Sequence, residues 1–391
     1  MKKAIYTLLF WVFIIMPIAA QANLDESIKI LHGPYLQNVS SDEVTIVWVS
    51  DKPSIAWVEL APDGNDSFYA KERPRFYDAR DGIKTISRIH SVKLKNLKPG
   101  TTYRYRVYVQ HVLQHKGISV IYGKTAATNV YTKKPLKFKT SDPDMNSVSF
   151  AMVCDIHGNS DRLSSLISKC DVKNTDLFLF NGDMASILNE EEHIFGGFMD
   201  TATKLFASQT PMYYARGNHE TRGSFAAEFY KYFSNGEGNL YYAFRQGPVF
   251  FIILDTGEDK PDSDIEYAGI TLYDQYRTEQ AEWLSHILKS PEYQNAPFKV
   301  VVGHIPPIGD WHGTVEVKNK FMPLLCDARP DVMLCGHLHH YIHQKADAQT
   351  PFPIIVNSNT SIIKANATTK ELKLEIINED GKTLDTITIK K

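Results

Sequence analysis

Residues 148–159, VSFAMVCDIHGN, lead from an apolar run directly into a turn of polar side chains and glycine. Four later stretches repeat this arrangement: Asn181-Gly182-Asp183, Arg216-Gly217-Asn218-His219-Glu220, Gly303-His304 and Gly336-His337-Leu338-His339. Continuous apolar runs separated by helix-like segments indicate strands that are covered on both faces. Polar side chains beyond the carboxyl ends of such strands can meet at one place. The sequence therefore predicts an α/β domain whose five turns share a site, and the glycines should permit the tight turns.

The polar side chains at these turns are of types that bind metal ions. They are Asp155, His157, Asp183, Asn218, His304, His337 and His339. Carboxylate, imidazole and amide ligands without thiolate favour divalent Fe, Mn or Zn over a structural zinc site. A lone histidine is more often a core residue, but five such turns in order are hard to obtain by chance. Two ions about 3.5–4 Å apart need a bridging carboxylate, and Asp183 is predicted for that role.

The four cysteines, Cys154, Cys170, Cys326 and Cys335, lie in or beside predicted core elements. Their positions indicate isolated thiols and not a disulfide framework. Cys154 and Cys335 adjoin proposed ligands, but both precede the strand ends. We therefore predict that they pack inside the sheets and bind no metal.

The chain of 391 residues, 43% hydrophobic, is long enough for two packed cores. Residues 28–140 contain short β-rich runs between Gly, Pro, Asn and Asp, which predicts an all-β sandwich. Residues 97–103, LKPGTTY, resemble the turn of fibronectin type III domains in which a tyrosine hydroxyl ties the corner to the backbone. Trp48 is predicted to be buried in the core, a commoner use of aromatics than a carbohydrate-binding surface. After a polar, proline-bearing joint, residues 146–391 form the predicted second domain, with a β hairpin turn near 378–381.

The amino terminus predicts export. Lys2 and Lys3 precede an apolar run, and Ala20-Gln21-Ala22 fits a cleavage site, so residues 1–22 form a predicted signal peptide. An uncleaved membrane anchor is the competing interpretation, which Pro17 and the Ala-rich end disfavour. The protein is therefore expected in the periplasm or secreted, with no stable membrane anchor. The formal net charge of -2 gives no long-range attraction to nucleic acid, so no nucleic-acid partner is expected, and any phosphorylated small molecule must be held by local contacts.

The ordered motifs Asp-x-His, Gly-Asp, Gly-Asn-His-Glu, Gly-His and Gly-His-x-His resemble those of the calcineurin-like metallophosphoesterases. With a sandwich that begins Gly33-Pro34-Tyr35-Leu36-Gln37, the chain resembles the purple acid phosphatase branch in particular. The resemblance implies two packed mixed sheets flanked by helices and a pair of divalent ions. One ion would take Asp155, His157, Asp183 and His339, and the other would take Asp183, Asn218, His304 and His337. A metal-bound hydroxide would then attack phosphorus in line.

The resemblance also implies roles for three residues beyond the ligands. His219 would face the phosphoryl group and stabilise its charge or protonate the leaving oxygen, and Glu220 would position His219. His312, in the loop after His304, falls where these phosphatases often place a substrate-contacting histidine. Two departures point to divalent ions without the purple colour: His157 replaces a glycine, and Ser186 replaces the tyrosine of the purple members.

The expected function is hydrolysis of phosphate monoesters by an exported, acid phosphatase-like enzyme. A phosphodiesterase or nucleotidase with the same centre is an alternative. Arg216, Arg222 and His312 could bind a monoester dianion, although arginines on such loops are more often paired or solvated. A non-catalytic binding or adhesion protein with a vestigial phosphoesterase domain is the alternative of another class. The seven filled ligand positions favour an enzyme.

Overall fold

The computed structural model describes residues 25–233 and 238–391. The predicted signal peptide, residues 1–22, lies outside the described residues. Across the described part of the chain, no helix combines the length and the apolar character needed to cross a membrane.

The amino-terminal region is all-β, as predicted. Its strands are β1 Ile30–Gln37, β2 Val44–Pro62, β3 Arg75–Tyr77, β4 Ala79–Arg80, β5 Ile83–Lys84, β6 Ser87–Leu94, β7 Thr102–Lys116, β8 Ser119–Ala127 and β9 Leu136–Lys139. Strand β2 pairs with β1 and β6 through its first half and with β7 and β3 through its second half. A register shift between Val49 and Ser54 separates the halves, so one strand serves two layers around a common core.

Two predicted details of this region are confirmed. Trp48 is completely buried in the core that Leu36, Val58 and Tyr105 also form. The Tyr103 hydroxyl accepts a hydrogen bond from the Lys98 backbone N–H at 2.9 Å, which ties the turn to the following strand. Trp48 and Tyr103 thus have structural roles, in the core and at the corner.

The carboxyl-terminal region contains two six-stranded mixed sheets. Its strands are β10 Ser147–Val153, β11 Leu177–Asn181, β12 Met212–Ala215, β13 Tyr242–Gln246, β14 Val249–Leu254, β15 Phe298–Gly303, β16 Val332–Cys335, β17 Ile342–Gln344, β18 Ile354–Val356, β19 Ser361–Thr368, β20 Glu371–Asn378 and β21 Thr383–Lys390. One sheet has the order β12-β11-β10-β19-β20-β21, and the other has the order β13-β14-β15-β16-β18-β17. Apolar side chains such as Phe150, Phe251, Val300 and Leu374 fill the space between them. The predicted pair of packed mixed sheets is confirmed.

Helices cover the outer faces of both sheets. They are α1 Ser160–Ile167, α2 Glu192–Ile194, α3 Asp200–Ala202, α4 Tyr230–Phe233, α5 Tyr273–Ile287, α6 Pro291–Gln294, α7 His312–Lys320 and α8 Met322–Ala328. The segments Phe195–Met199 and Thr203–Ala207 are π-helical, and Val172–Asn174, His219–Thr221, Ala226–Glu228 and Ile265–Tyr267 are 3-10 turns. Burial of the helices' apolar sides explains why the central strands are apolar on both faces.

The two regions share buried surface. Tyr35, Val47 and Val49 of the amino-terminal region belong to the same apolar cluster as Phe195 and Tyr232. The Tyr35 hydroxyl donates to the Tyr232 carbonyl at 3.0 Å, and the Tyr105 hydroxyl donates to the Ser208 carbonyl at 2.6 Å. The amino-terminal region is therefore built into the fold of the larger region.

Candidate metal centre

The five predicted turns meet at one edge of the paired sheets. Strands β10, β11 and β12 run parallel in one sheet, and β14, β15 and β16 run parallel in the other. Parallel strands present their carboxyl ends at the same edge. The turns after β10, β11, β12, β15 and β16 therefore bring all seven predicted metal-ligand side chains to one place.

Asp183 lies at the middle of the cluster. Its Oδ2 is 3.1 Å from His304 Nε2 and 3.8 Å from His219 Nε2. On one side, His339 Nε2 is 3.3 Å from Asp155 Oδ1 and 3.1 Å from His157 Nε2.

On the other side of Asp183, Asn218 Oδ1 is 3.1 Å from His337 Nδ1. The potential ligand atoms of Asp155, His157 and His339 lie within 4.8 Å of one another, as do those of Asp183, His304 and His337. The side chains thus form two adjacent groups.

The charged groups of this cluster shift one another's pKa values. Asp155, Asp183 and His304 are fully buried. Burial by itself lowers the pKa of His304, but the Asp183 and Asp155 carboxylates overcome that effect and raise the pKa to about 10. Burial, followed by repulsion from His304, lowers the pKa of His337 to about 4. Two buried carboxylates thus attract positive charge to the space between the histidines.

The backbone at the site is strained. Asp155, His157, Asp183, His337 and His339 all have φ between 52° and 73°. This left-handed conformation costs residues other than glycine about 1–3 kcal/mol each and is concentrated at functional sites in proteins. The strained backbone is thus found at five of the seven predicted ligands.

The prediction that glycine makes each turn tight was only partly correct. Gly158 and Gly182 do have positive φ. Gly217 and Gly336 are required instead by close contact, because an added Cβ would lie 2.2 Å from Asp183 Oδ1 and 2.8 Å from Asp155 Oδ2, respectively. Five predicted ligands themselves adopt the left-handed conformation that was expected only of the glycines.

The buried donor atoms suit divalent cations. His304 Nδ1 donates to the Asn181 carbonyl at 2.7 Å, which directs Nε2 at Asp183. Nε2 is buried and has no hydrogen-bond partner of good geometry among the described residues. The clustered nitrogen and oxygen atoms therefore fit a dinuclear centre. All four cysteines are free, and Cys154 and Cys335 are buried.

Family models match two successive parts of the chain. The model for calcineurin-like phosphoesterases matches residues 148–341, which include all five turns. The model for the amino-terminal domain of purple acid phosphatases matches residues 33–140. The chain belongs to the calcineurin-like phosphoesterases.

Within this family the chain is similar to purple acid phosphatases. It is 24% identical over 412 residues to purple acid phosphatase 21 of Arabidopsis thaliana, covering 91% of this chain and 81% of the relative. Probable purple acid phosphatase 20 of the same plant is 25% identical over 333 residues, with 77% and 68% covered. The solved purple acid phosphatase of yellow lupin seeds superposes with a TM-score of 0.64 at 17% identity, covering 91% of this chain and 74% of that one. The likeness in structure extends over both regions.

In this phosphoesterase, His219 faces the candidate centre, but Glu220 does not hold its ring. His219 Nδ1 donates to the Ser186 carbonyl at 2.7 Å. The buried Glu220 carboxylate instead accepts from the backbone N–H groups of Asp183, Ala185 and Gly217, each at 2.9 Å. Glu220 therefore joins the turn of Asp183 to the turn of Asn218, a role that the sequence did not indicate because its partners are backbone atoms.

His312 lies away from the centre. It is the first residue of α7, and its Nε2 contacts Asp274 Oδ1 of α5 at 2.7 Å. Its neighbour Trp311 lines the cavity over the candidate centre instead. The loop after His304 thus places Trp311 at the site, whereas the family resemblance implied His312.

Two further basic residues line this cavity, and both are ion-paired. Arg222 contacts Glu258 Oε1 at 2.7 Å and Asp259 Oδ1 at 2.9 Å, and Lys260 pairs with Glu266. Arg216 points elsewhere and contacts the buried Asp255 at 2.8 Å. The arginines that the sequence offered for a substrate dianion are already neutralised by carboxylates.

Proposed function

We propose that this protein is an exported dinuclear-metal phosphatase that hydrolyses phosphate monoesters. The convergence of six ligand-type side chains around the seventh, Asp183, is the single observation that carries the proposal. The family assignment supports hydrolysis of phosphate esters. A vestigial scaffold has no need for a complete ligand set in which five residues have a strained backbone and four are buried.

We assign one ion to Asp155, His157, Asp183 and His339, and the other to Asp183, Asn218, His304 and His337. The two groups of adjacent ligand atoms support this division. Bound divalent ions would polarise the phosphoryl oxygens and lower the pKa of water toward neutrality. The protein's own contribution is to hold the ligands rigidly and to keep His304 oriented through Asn181.

We assign His219 to the phosphoryl group or the leaving oxygen. Its hydrogen bond to the Ser186 carbonyl keeps the proton of the neutral ring on Nδ1 and leaves Nε2 toward the cavity. A protonated Nε2 could stabilise developing charge or transfer its proton to the departing alkoxide. Glu220 supports this arrangement indirectly, because it holds the backbone of the Asp183 turn and of the turn that leads to His219.

A phosphodiesterase or nucleotidase with the same centre is the second candidate. The pairing of Arg222 with Glu258 and Asp259 favours diester hydrolysis, because that arginine is not available for the second negative charge of a monoester. Within the described cavity wall, the metal ions and His219 would therefore have to bind the dianion. Comparison of mono- and diesters decides between the two candidates.

Residues 28–140 are proposed to support residues 146–391. Their hydroxyl contacts, from Tyr35 to Tyr232 and from Tyr105 to Ser208, fall on the segments that carry α3 and α4. The proposed export rests on the sequence of residues 1–22. Amino-terminal sequencing of the protein isolated from its own host should begin at Asn23, whereas a protein that retains Met1 contradicts cleavage.

The central test combines metal analysis with a substrate panel. Protein loaded separately with Mn, Zn and Fe should bind two ions per chain and hydrolyse phosphomonoesters faster than diesters. Asp183→Asn should lose both metal binding and activity, because Asp183 belongs to both ligand groups. Zero or one ion in the wild type, or full activity of Asp183→Asn, contradicts the proposal.

A further inference from the structure

The cavity above the candidate centre is lined by polar side chains and by a small group of apolar ones. Its volume is about 500 Å³, and its floor contains Asp183, Asn218 and His219. Ile308, Trp311 and Leu338 are the apolar residues of the cavity wall. A substrate whose phosphate lies at Asp183, Asn218 and His219 would place its alcohol portion against these apolar side chains.

Trp311 is exposed although it lies next to the ligand set. Its side chain is 58% exposed, and its ring centre is 5.9 Å from that of His337, with the two planes at 86°. The indole edge or face that does not meet His337 is open to the cavity. Single exposed apolar residues are common on protein surfaces, but this one stands directly over a candidate ligand.

The loop that carries Trp311 is held in place. Pro306 and Pro307 restrict its backbone, and Lys318 of α7 donates to the Gly309 carbonyl. The Trp311 carbonyl accepts from Val315 in the first turn of α7, and the His312 contact with Asp274 anchors the same turn on α5. The indole is thus presented by a restrained loop, which lowers the entropy that binding must overcome.

The charges around the cavity disfavour polyanionic substrates. Arg222 is matched by the carboxylates of Glu258 and Asp259, and Lys260 by that of Glu266. A second phosphate group on the substrate would meet these carboxylates without an unpaired cation on the described wall. The leaving portion that suits the wall is therefore uncharged.

We propose that Trp311 stacks on a flat aromatic ring in the leaving portion of the substrate, so that the enzyme selects aromatic phosphate esters over aliphatic and polyphosphorylated ones. This inference rests on the proposed phosphatase activity and names its substrate class. A nucleobase and an aryl group can both provide this flat aromatic ring. Stacking on indole is tolerant of ring identity, because every such ring has a π face.

Two matched substrate pairs test the inference and show whether the stacked ring is a nucleobase or an aryl group. Adenosine 5′-monophosphate and ribose 5-phosphate share the same ester bond and differ in the base. Benzyl phosphate and hexyl phosphate do the same for an aryl group. In metal-loaded wild type, kcat/KM should be higher for the aromatic member of at least one pair. Trp311→Ala should lower kcat/KM for that member about tenfold, the scale of one lost aromatic stack, and change the aliphatic member less than about twofold.

Trp311→Phe should restore most of the loss, since it keeps an aromatic face. Equal values of kcat/KM for both members of both pairs, or equal losses for aromatic and aliphatic esters in Trp311→Ala, would overturn the inference. The pair that responds identifies the ring as a nucleobase or an aryl group. Pyrophosphate should be hydrolysed less efficiently than adenosine 5′-monophosphate, and the reverse order would also overturn it.

A binding measurement separates this inference from the proposed function. Adenosine and benzyl alcohol, which carry no phosphate, should quench the fluorescence of the wild type, with the quench lost in Trp311→Ala. If no ester is hydrolysed but this difference persists, the phosphatase proposal fails and the aromatic site stands. If esters are hydrolysed and neither compound distinguishes the two proteins, the aromatic site fails and the phosphatase proposal stands.

Discussion

The turn at His219 and the loop at His312 were both expected to place a histidine against the substrate, but only the first places one at the candidate centre. In the turn, Glu220 accepts three backbone hydrogen bonds, and the His219 backbone N–H donates to Asp183 Oδ1. In the loop, the carboxylate of Asp274 on α5 holds the His312 ring. The difference shows that proximity in the sequence is not sufficient. The ring of His219 is held with Nε2 toward the candidate centre, whereas the ring of His312 is held by a carboxylate on another helix.

Removal of the His219 imidazole should have the largest effect. His219→Ala should lower kcat by about 10²–10⁴-fold, the usual contribution of a positioned acid or charge stabiliser. Metal content should stay at the wild-type level, because the seven assigned ligands remain. Steady-state kinetics and metal analysis on the same sample provide the measurement. Wild-type kcat would contradict the role assigned to this residue.

A methyl group at Gly217 should disturb the turn without removing any functional side chain. Its Cβ would lie 2.2 Å from Asp183 Oδ1 and 2.3 Å from the Asp183 backbone nitrogen, so the carboxylate must move. We expect Gly217→Ala to lose about 10²-fold in kcat/KM, as displacements of about 1 Å in active sites do. Weaker metal binding, measured by titration, should accompany the loss.

Gly303→Ala is the matched control for Gly217→Ala. Gly303 also lies in a ligand turn, but its added Cβ would meet neighbours only at 3.4 Å, an ordinary contact. Activity within about twofold of the wild type is expected, because no ligand has to shift. Equal losses in both variants would show that close approach to Asp183 is not what Gly217 provides.

Replacement of Glu220 by glutamine tests the support of the same turn. One amide oxygen cannot replace two carboxylate oxygens, so at least one buried N–H loses its acceptor. Glu220→Gln should therefore cost about 1–3 kcal/mol in the free energy of unfolding, measured by denaturant titration. Glu228→Gln, on a partly exposed side chain nearby, should change stability by less than about 0.5 kcal/mol.

The smallest effect is expected at His312. Its contact with Asp274 is partly exposed, and pairs of this kind contribute about 0–1 kcal/mol. His312→Ala should lower stability within that range and leave kcat/KM within about twofold of the wild type. A loss of activity comparable with that of His219→Ala would return His312 to the substrate site and remove the contrast between the two histidines.

The turns that follow the strands were predictable because their information is local. An apolar run places its carboxyl end at the sheet edge, and the next residues can only lie beyond that edge, so Asp155, Asp183 and His304 could be assigned together. The β character of residues 28–140 and the corner at Tyr103 were accessible for the same reason. The left-handed backbone of the ligands was missed, since no local preference of aspartate or histidine indicates it.

By itself, the sequence determined the order of the strands' terminal turns, the metal-ligand chemistry and the family. These depend on residue type and on neighbours within a few positions along the chain. Only the tertiary structure decided that Glu220 accepts hydrogen bonds from backbone N–H groups and that His312 contacts Asp274. It also decided that Arg222 is paired with a carboxylate and that Trp311 lines the cavity. It also placed Tyr35 in the core of the other region. Each of these outcomes is set by contacts between segments brought together by the fold, and such contacts leave no periodic or adjacent signal in the chain.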